Sequence, residues 1–205
     1  MKRGIDVALA GVAIAVLAPV MAIVALLVRV RLGAPVIFRQ TRAGHHGAPF
    51  TLYKFRTMRP PRPGEDGPAY DGARLTGLGR VLRATSLDEL PSLLNVLRGE
   101  MSLVGPRPLP LSYLERYTPE QARRLTVVPG LTGWAVVHGR NLLTWDERLA
   151  LDCWYVDHHG VALDLKIIGK TVAMVFRRTG INHADGVTMT ELPSATVPMP
   201  DADPT

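Results

Sequence analysis

The chain has 205 residues, 47% of them hydrophobic, with one cysteine. That is long enough for one substantial core, too apolar for a disordered chain, and incompatible with a disulfide scaffold. The net charge of +6 suits nucleic acid, an anionic membrane surface or phosphorylated substrates, and charge alone does not choose among them. Cys153 fits a reducing compartment and reads as a small packing residue.

From Val7 to Val28 every residue is apolar or small. At 1.5 Å per residue this run makes about 33 Å of helix, one hydrocarbon thickness, and it exceeds the apolar core of a secretory signal. Pro19 divides it into arms of about 17 Å, half a bilayer each. Lys2 and Arg3 precede the run and Arg29 and Arg31 follow it, so cations flank both ends. A kinked span and a re-entrant hairpin both account for the run. The paired flanks favour the hairpin, and backbone freed at an apex inside lipid weighs against it. Lys2, Arg3 and Asp6 share one helix face, as a neutralised anchor or as a cradle for a lipid phosphate.

Short β-rich runs follow at Pro35–Gln40 and Phe50–Met58, joined by a polar turn in which His45 and His46 are expected to face solvent. Residues 59–73, rich in Pro, Gly and acidic side chains, read as a mobile loop. Helices are expected at Leu78–Ala84 and Leu90–Arg98, then an extended piece at Met101–Val104. A helix broken at Thr118-Pro119 is expected over Leu111–Leu125. Trp145–His158 and Leu163–Arg178 carry the clearest later helical patterns, the second suited to a core or to a membrane surface. Beyond about Glu191 no period survives, and 188–205 reads as a disordered tail.

Between the two central helices lie Asp88 and Glu89. Ser86-x-x-Glu89 matches a capping box, in which Asp88 would only complement the helix dipole. Pro91 fits that start poorly; an alternative places Pro91 at the first helical position with both carboxylates just ahead of it. The chemical reading makes the pair a nucleophile or metal ligand among cations.

Taken in order, Lys2-Arg3-x-x-Asp6, Phe38-x-Gln40-x-Arg42-x-Gly44, Lys54-Phe55-Arg56-Thr57-Met58, Thr85 to Pro91, Gly99 through Pro108 and Gly139-Arg140-Asn141 resemble the bacterial sugar transferase family. These are the small monotopic phosphoglycosyl transferases that start glycan assembly on polyprenyl phosphate. The resemblance runs from Lys2 to about Gly180 and looks like the minimal form. It implies an α+β, mainly helical, membrane-associated monotopic domain with short β segments. Residues 1–31 would be a re-entrant helix-break-helix hairpin and 32–187 a catalytic region on the cytoplasmic face of the bacterial inner membrane.

It also implies transfer of a phosphosugar from a UDP-sugar to polyprenyl phosphate with Mg²⁺, Asp88 being the nucleophile and Glu89 helping to bind the metal. Membrane lipid is an expected partner and nucleic acid is not, since no binding motif accompanies the charge. Arg107, held between two prolines, is the foremost phosphate contact, because its fork matches phosphate oxygens. Lys2, Arg3, Asp6, Lys54, Arg56, Arg80, Arg83 and Arg140 are further substrate-binding candidates. Ala18 stands where the family often has Ser before the proline, and Val136 and His138 stand where polar residues are expected.

Overall fold

A computed structural model describes residues 1–65, 67, 70–139, 142–177 and 192. Helix α1 (Lys2–Leu32) takes up the whole apolar run and both cationic flanks. Its inner side packs along one body. Ala10, Ala13 and Ile14 meet Phe50, Leu93 and Val96, and further along Val20, Val24 and Val28 meet Phe55 and Leu82. The outer side leaves Val12, Val16, Ile23, Leu26 and Val30 more than half exposed. Only 11% of the helix's most apolar stretch is buried, which suits a helix solvated by lipid rather than a core helix. Pro19 lies inside α1, so the structure carries one helical element where two arms were expected. Proline removes one N–H from the ladder, and the neighbouring turns keep theirs.

Strands β1 (Ile37–Ala43) and β2 (Pro49–Phe55) pair antiparallel, with Phe38 opposite Lys54 and Arg42 opposite Phe50. A 3-10 turn, His45–Gly47, joins them, and both histidines are exposed as expected. Strand periodicity places Phe50, Leu52 and Lys54 on one face. The first two enter the core and carry Lys54 inward with them. In the expected loop 59–73, Arg59 clasps Glu65 (2.5 and 2.7 Å), and the short helix α2 (Asp71–Arg74) ends it.

Helix α3 (Gly77–Ala84) starts where the Thr76 hydroxyl accepts from the Gly79 N–H. It leads to Ser86 at φ 56°, ψ 16°, a left-handed conformation that a non-glycine residue adopts only under local constraint. A 3-10 segment, Leu87–Ser92, then runs into α4 (Leu93–Arg98). Neither anticipated helix start is realised. Ser86 makes no side-chain cap bond, and Pro91 sits in the 3-10 segment, ahead of the α-helix.

Strand β3 (Ser102–Val104) pairs in parallel with β4 (Gly130–Thr132). The partner strand is too short to show a period, and its site was not anticipated. Between them the helix expected over Leu111–Leu125 is divided into 3-10 turns at Leu111–Arg116 and Arg123–Thr126 around α5 (Pro119–Ala122), whose capping box joins Thr118 and Gln121. Helices α6 (Trp134–Val137), α7 (Trp145–His158) and α8 (Val161–Arg177) follow. Leu192, the described residue within 188–205, is buried beside Leu109, Tyr113 and Leu149. The described architecture is mainly helical with two small sheets, the class anticipated.

Candidate active site

Two side chains of the Leu87–α4 stretch fasten it to the open edge of β2. The Ser92 hydroxyl donates to the Tyr53 carbonyl (2.7 Å). Asn95 donates to the Thr51 carbonyl (2.7 Å) and accepts from the Tyr53 N–H (3.2 Å). A two-stranded ribbon has unpaired backbone groups at its edges, and these bonds satisfy them. The same contact sets Glu89 against Lys54.

Glu89 Oε1 accepts from Lys54 Nζ (2.7 Å) and from Arg107 Nη2 (2.6 Å), so one carboxylate oxygen joins three separate segments. Burial would raise the Glu89 pKa, but Arg107 and Lys54 together hold it well below the usual carboxylate range. Asp88 is treated differently. It is buried, and no hydrogen bond from a described residue to its carboxylate offsets that burial; its pKa is pushed up to about 6 by desolvation and then by the Glu89 charge, against the pull of Lys54, Arg83 and Arg107. Neighbouring carboxylates thus diverge: Glu89 stays charged and locked, while Asp88 has no hydrogen-bond partner among the described residues and keeps the higher pKa. Burial likewise lowers the Lys54 pKa, with Arg107 adding to the effect and Glu89 opposing it.

Arg107 is held by its backbone. Gly105 N–H donates to the Thr132 carbonyl and Gly130 N–H to the Pro106 carbonyl, both at 2.9 Å. The Arg107 carbonyl accepts from Arg124 (2.6 Å), whose guanidinium is clamped by Asp152 of α7 (2.8 Å) and bonded to the Tyr117 hydroxyl (3.1 Å). Arg124 and Asp152 are both almost fully buried, and nothing in the spacing of their sequence positions marked them. The Arg107 side chain keeps 37% exposure, open to a ligand.

The other candidates divide. Lys54 and Arg107 join the Asp88–Glu89 pair, and the Arg83 charge acts on Asp88 while its Nε bonds the Thr57 hydroxyl (3.2 Å). Arg80 donates to the Leu75 carbonyl (3.3 Å). Arg56 is buried and donates to the carbonyls of Leu32, Gly33 and Ala34, closing the end of α1. At the opposite end Lys2 pairs with Asp164 (2.5 Å), Arg3 caps α4 through the Val96 and Leu97 carbonyls, and buried Asp6 accepts from Ser102 Oγ and Leu103 N–H. These four bind the protein itself in this structure. Arg140 lies outside the described residues. His138 lies against Trp134, the rings tilted by 54° with centroids 3.9 Å apart.

Among the described residues no three His, Cys, Asp or Glu side chains gather as a metal cage. Mg²⁺ is commonly held by one or two carboxylates with substrate phosphates and water, and Glu89 Oε2, which takes part in neither of the bonds to Lys54 and Arg107, fits that use together with Asp88.

Comparison with known proteins agrees with this arrangement. The chain is 53% identical over 161 residues to an uncharacterized sugar transferase, EpsL, of Bacillus subtilis, covering 78% of this chain and 80% of the relative. It is 44% identical over 184 residues to a UDP-glucose:undecaprenyl-phosphate glucose-1-phosphate transferase of Caulobacter vibrioides, covering 83% and 68%. It is 41% identical over 165 residues to an undecaprenyl-phosphate galactose phosphotransferase of Salmonella typhimurium, covering 72% of this chain and 35% of that longer protein. Residues 1–178, which include α1, both sheets and the Asp88–Glu89–Arg107 cluster, match the bacterial sugar transferase profile, and this chain is an enzyme of that family.

Proposed function

We propose that this enzyme transfers a phosphosugar from a UDP-sugar to polyprenyl phosphate at the membrane surface, through a covalent intermediate on Asp88. The single observation that carries the reading is the split between the two carboxylates, with Glu89 tied to Lys54 and Arg107 and Asp88 without a hydrogen-bond partner among the described residues. The transferases named among its relatives support the substrate classes.

The ionised Asp88 oxygen attacks the sugar-bearing phosphorus; the bond to the bridging oxygen breaks and its electron pair leaves with UMP. An oxygen of polyprenyl phosphate then attacks the same phosphorus, and the Asp88–phosphorus bond breaks to restore the carboxylate. A diphosphate is exchanged for a diphosphate through an acyl phosphate, so no outside energy source enters. Two steps let a water-soluble donor and a lipid acceptor use one site in turn. Arg107, fixed by its backbone, and Lys54, fixed by Glu89, stand ready for charge on the phosphoryl oxygens. Mg²⁺, held by Glu89 and Asp88, would neutralise charge on the diphosphate.

The outer face of α1 is read as lying in lipid, with Pro19 bending the helix back so that both ends remain on the cytoplasmic side. Incubation with Mg²⁺ and a panel of UDP-sugars, without acceptor, should release about one equivalent of UMP and leave a phosphosugar mass on the Asp88 peptide. UMP release that strictly required polyprenyl phosphate, with no labelled peptide, would replace the covalent route with direct transfer.

A further inference from the structure

The segment that carries Arg107 has little regular structure of its own. Between β3 and α5 it holds Arg107 between Pro106 and Pro108 and then the 3-10 turn Leu111–Arg116, whose hydrogen bonds are weaker than those of an α-helix. Side-chain packing has to supply the rest of its rigidity. That packing is one apolar cluster. Leu109 and Tyr113 of the segment meet Leu149 of α7, and Tyr117 and Trp145 pack against them, with the Tyr113 and Trp145 rings edge to face at 5.6 Å. The remaining buried member is Leu192, which is 4% exposed.

Leu192 comes from a stretch without hydrophobic period, where a disordered tail was expected. A single leucine needs no period to be held; it needs apolar neighbours and a partner for its backbone. Both are present. The Leu192 carbonyl accepts from Arg116 Nη1 (2.7 Å), and the Arg116 guanidinium lies over the Tyr113 ring, 5.2 Å from its centre. This tie crosses 76 positions of sequence and pins Leu192 to the 3-10 turn.

Two routes lead from Leu192 to Arg107. The first is short: the Leu109 carbonyl accepts from the Ala43 N–H (2.9 Å), and Pro108 alone separates Leu109 from Arg107. The second runs along α7. Asp152 stands one turn on from Leu149 and clamps Arg124 (2.8 Å), which holds the Arg107 carbonyl (2.6 Å) and bonds the Tyr117 hydroxyl. Leu192 therefore sits where both supports of the Arg107 backbone meet. Removing its side chain leaves both facing a void, and a void in a packed cluster is partly relieved by movement of what lines it.

We propose that Leu192 is a positioning residue for the transfer reaction, which acts by fixing the segment that presents Arg107 to the phosphate. This rests on the transferase reading above. The test uses the full-length protein in lipid nanodiscs, at a temperature where each variant is folded, with turnover expressed per folded molecule. Leu192→Ala should lose about 10- to 100-fold in kcat/KM for the UDP-sugar, the range that a small displacement of a contact group costs. Leu192→Met, which refills the space, should restore most of it. In an Arg107→Lys background Leu192→Ala should cost less than about twofold, because the contact it positions is already lost.

Hydrogen exchange gives a reading independent of activity. The Ala43 amide, whose acceptor is the Leu109 carbonyl, should exchange about tenfold faster in Leu192→Ala than in the wild type. Should the Ala variant fail to fold, Leu192→Val makes a smaller void and takes the same measurements. Full kcat/KM in a folded Leu192→Ala protein overturns the positioning role, and so do equal losses in the two Arg107 backgrounds, which would leave Leu192 a support of the fold alone. Unchanged Ala43 exchange overturns the route through Leu109. Faster Ala43 exchange in a protein that releases UMP from no UDP-sugar would sustain the link from Leu192 to the Arg107 segment and overturn the transfer reaction.

Discussion

At the scale of single residues, the cost of keeping a carboxylate buried can be read from Asp88. Its folded pKa, about 6 against 3.8 for a free side chain, means that the native state binds its proton more tightly than the unfolded chain does. Stability from this group is therefore greatest in acid and declines as pH rises from about 4 to 6. At neutral pH the ionised carboxylate works against folding by up to about 3 kcal/mol. Asp88→Asn should abolish UMP release and raise Tm at pH 7 by several degrees, the gain vanishing near pH 4; equal melting curves at pH 7 would mean that Asp88 is not destabilised. For the same reason UMP release without acceptor should rise with pH along an acid limb centred near 6, and a limb near 4 would indicate an ordinary carboxylate. Glu89→Gln has the opposite sign, since it leaves Lys54 and Arg107 without their shared anion, and it should lower stability by about 3–5 kcal/mol. Arg107→Lys keeps the charge and loses the fork. It should reduce turnover at least about tenfold in a folded, membrane-bound protein, as measured by UMP release, whereas full turnover would remove Arg107 from the phosphate contacts.

At the scale of elements, the position of Arg107 depends on a crossing of two glycine-bearing segments. A Cβ added to Gly105 would lie 2.4 Å from the Val128 carbonyl oxygen and 2.9 Å from Gly130 N, so β3 and β4 can meet and continue into Pro106 only if that side chain is absent. Gly105→Ala should cost about 1–3 kcal/mol by overpacking and should lower turnover beyond what the loss of folded protein explains, because Arg107 is carried two residues further on. Chemical denaturation together with activity per folded molecule checks both. The opposite approach to the site is by polar side chains. Ser92 and Asn95 bind the edge of β2, and their exactness of register matters because a shift of one residue would turn Lys54 from Glu89 to the other face of the strand.

At the scale of the molecule, α1 is fastened at both ends to the same domain, by Lys2 with Asp164 and by Arg56 with the Leu32 carbonyl that ends the helix and those of Gly33 and Ala34 just beyond it. Its outer side stays apolar throughout. A helix whose two ends are held by one folded body is poorly arranged to place them on opposite sides of a bilayer. Single cysteines introduced beside Lys2 and just after Arg31 in a Cys153→Ser background should both be labelled from the cytoplasmic side. Labelling from opposite sides would establish a span. Pro19→Leu should straighten the helix and reduce activity, and unchanged labelling in that variant would assign the topology to the end contacts rather than to the proline.

The amino-acid sequence by itself determined the apolar length of α1, the two β-rich runs that become β1 and β2, the helices at α3, α7 and α8, and it singled out Asp88, Glu89 and Arg107, which the structure brings together. Those features are local: an unbroken apolar run, alternation, helical spacing, and short motifs in order. Residues Arg124 and Asp152 became legible only in three dimensions, because charged side chains spaced along separate segments look like ordinary surface charge until tertiary contacts bury them. The same holds for Lys2, Arg3, Asp6 and Arg56, where a basic or acidic side chain at a membrane edge is equally suited to a lipid phosphate or to a backbone carbonyl. Packing α1 against α4, β2 and β3 supplies their partners inside the protein, by bringing backbone carbonyls within hydrogen-bond reach. Ser86 shows why the start of the helix was illegible: its backbone is left-handed and its side chain makes no cap bond, while Glu89 engages Lys54 and Arg107 instead of reaching back to a cap, and those partners are distant in sequence.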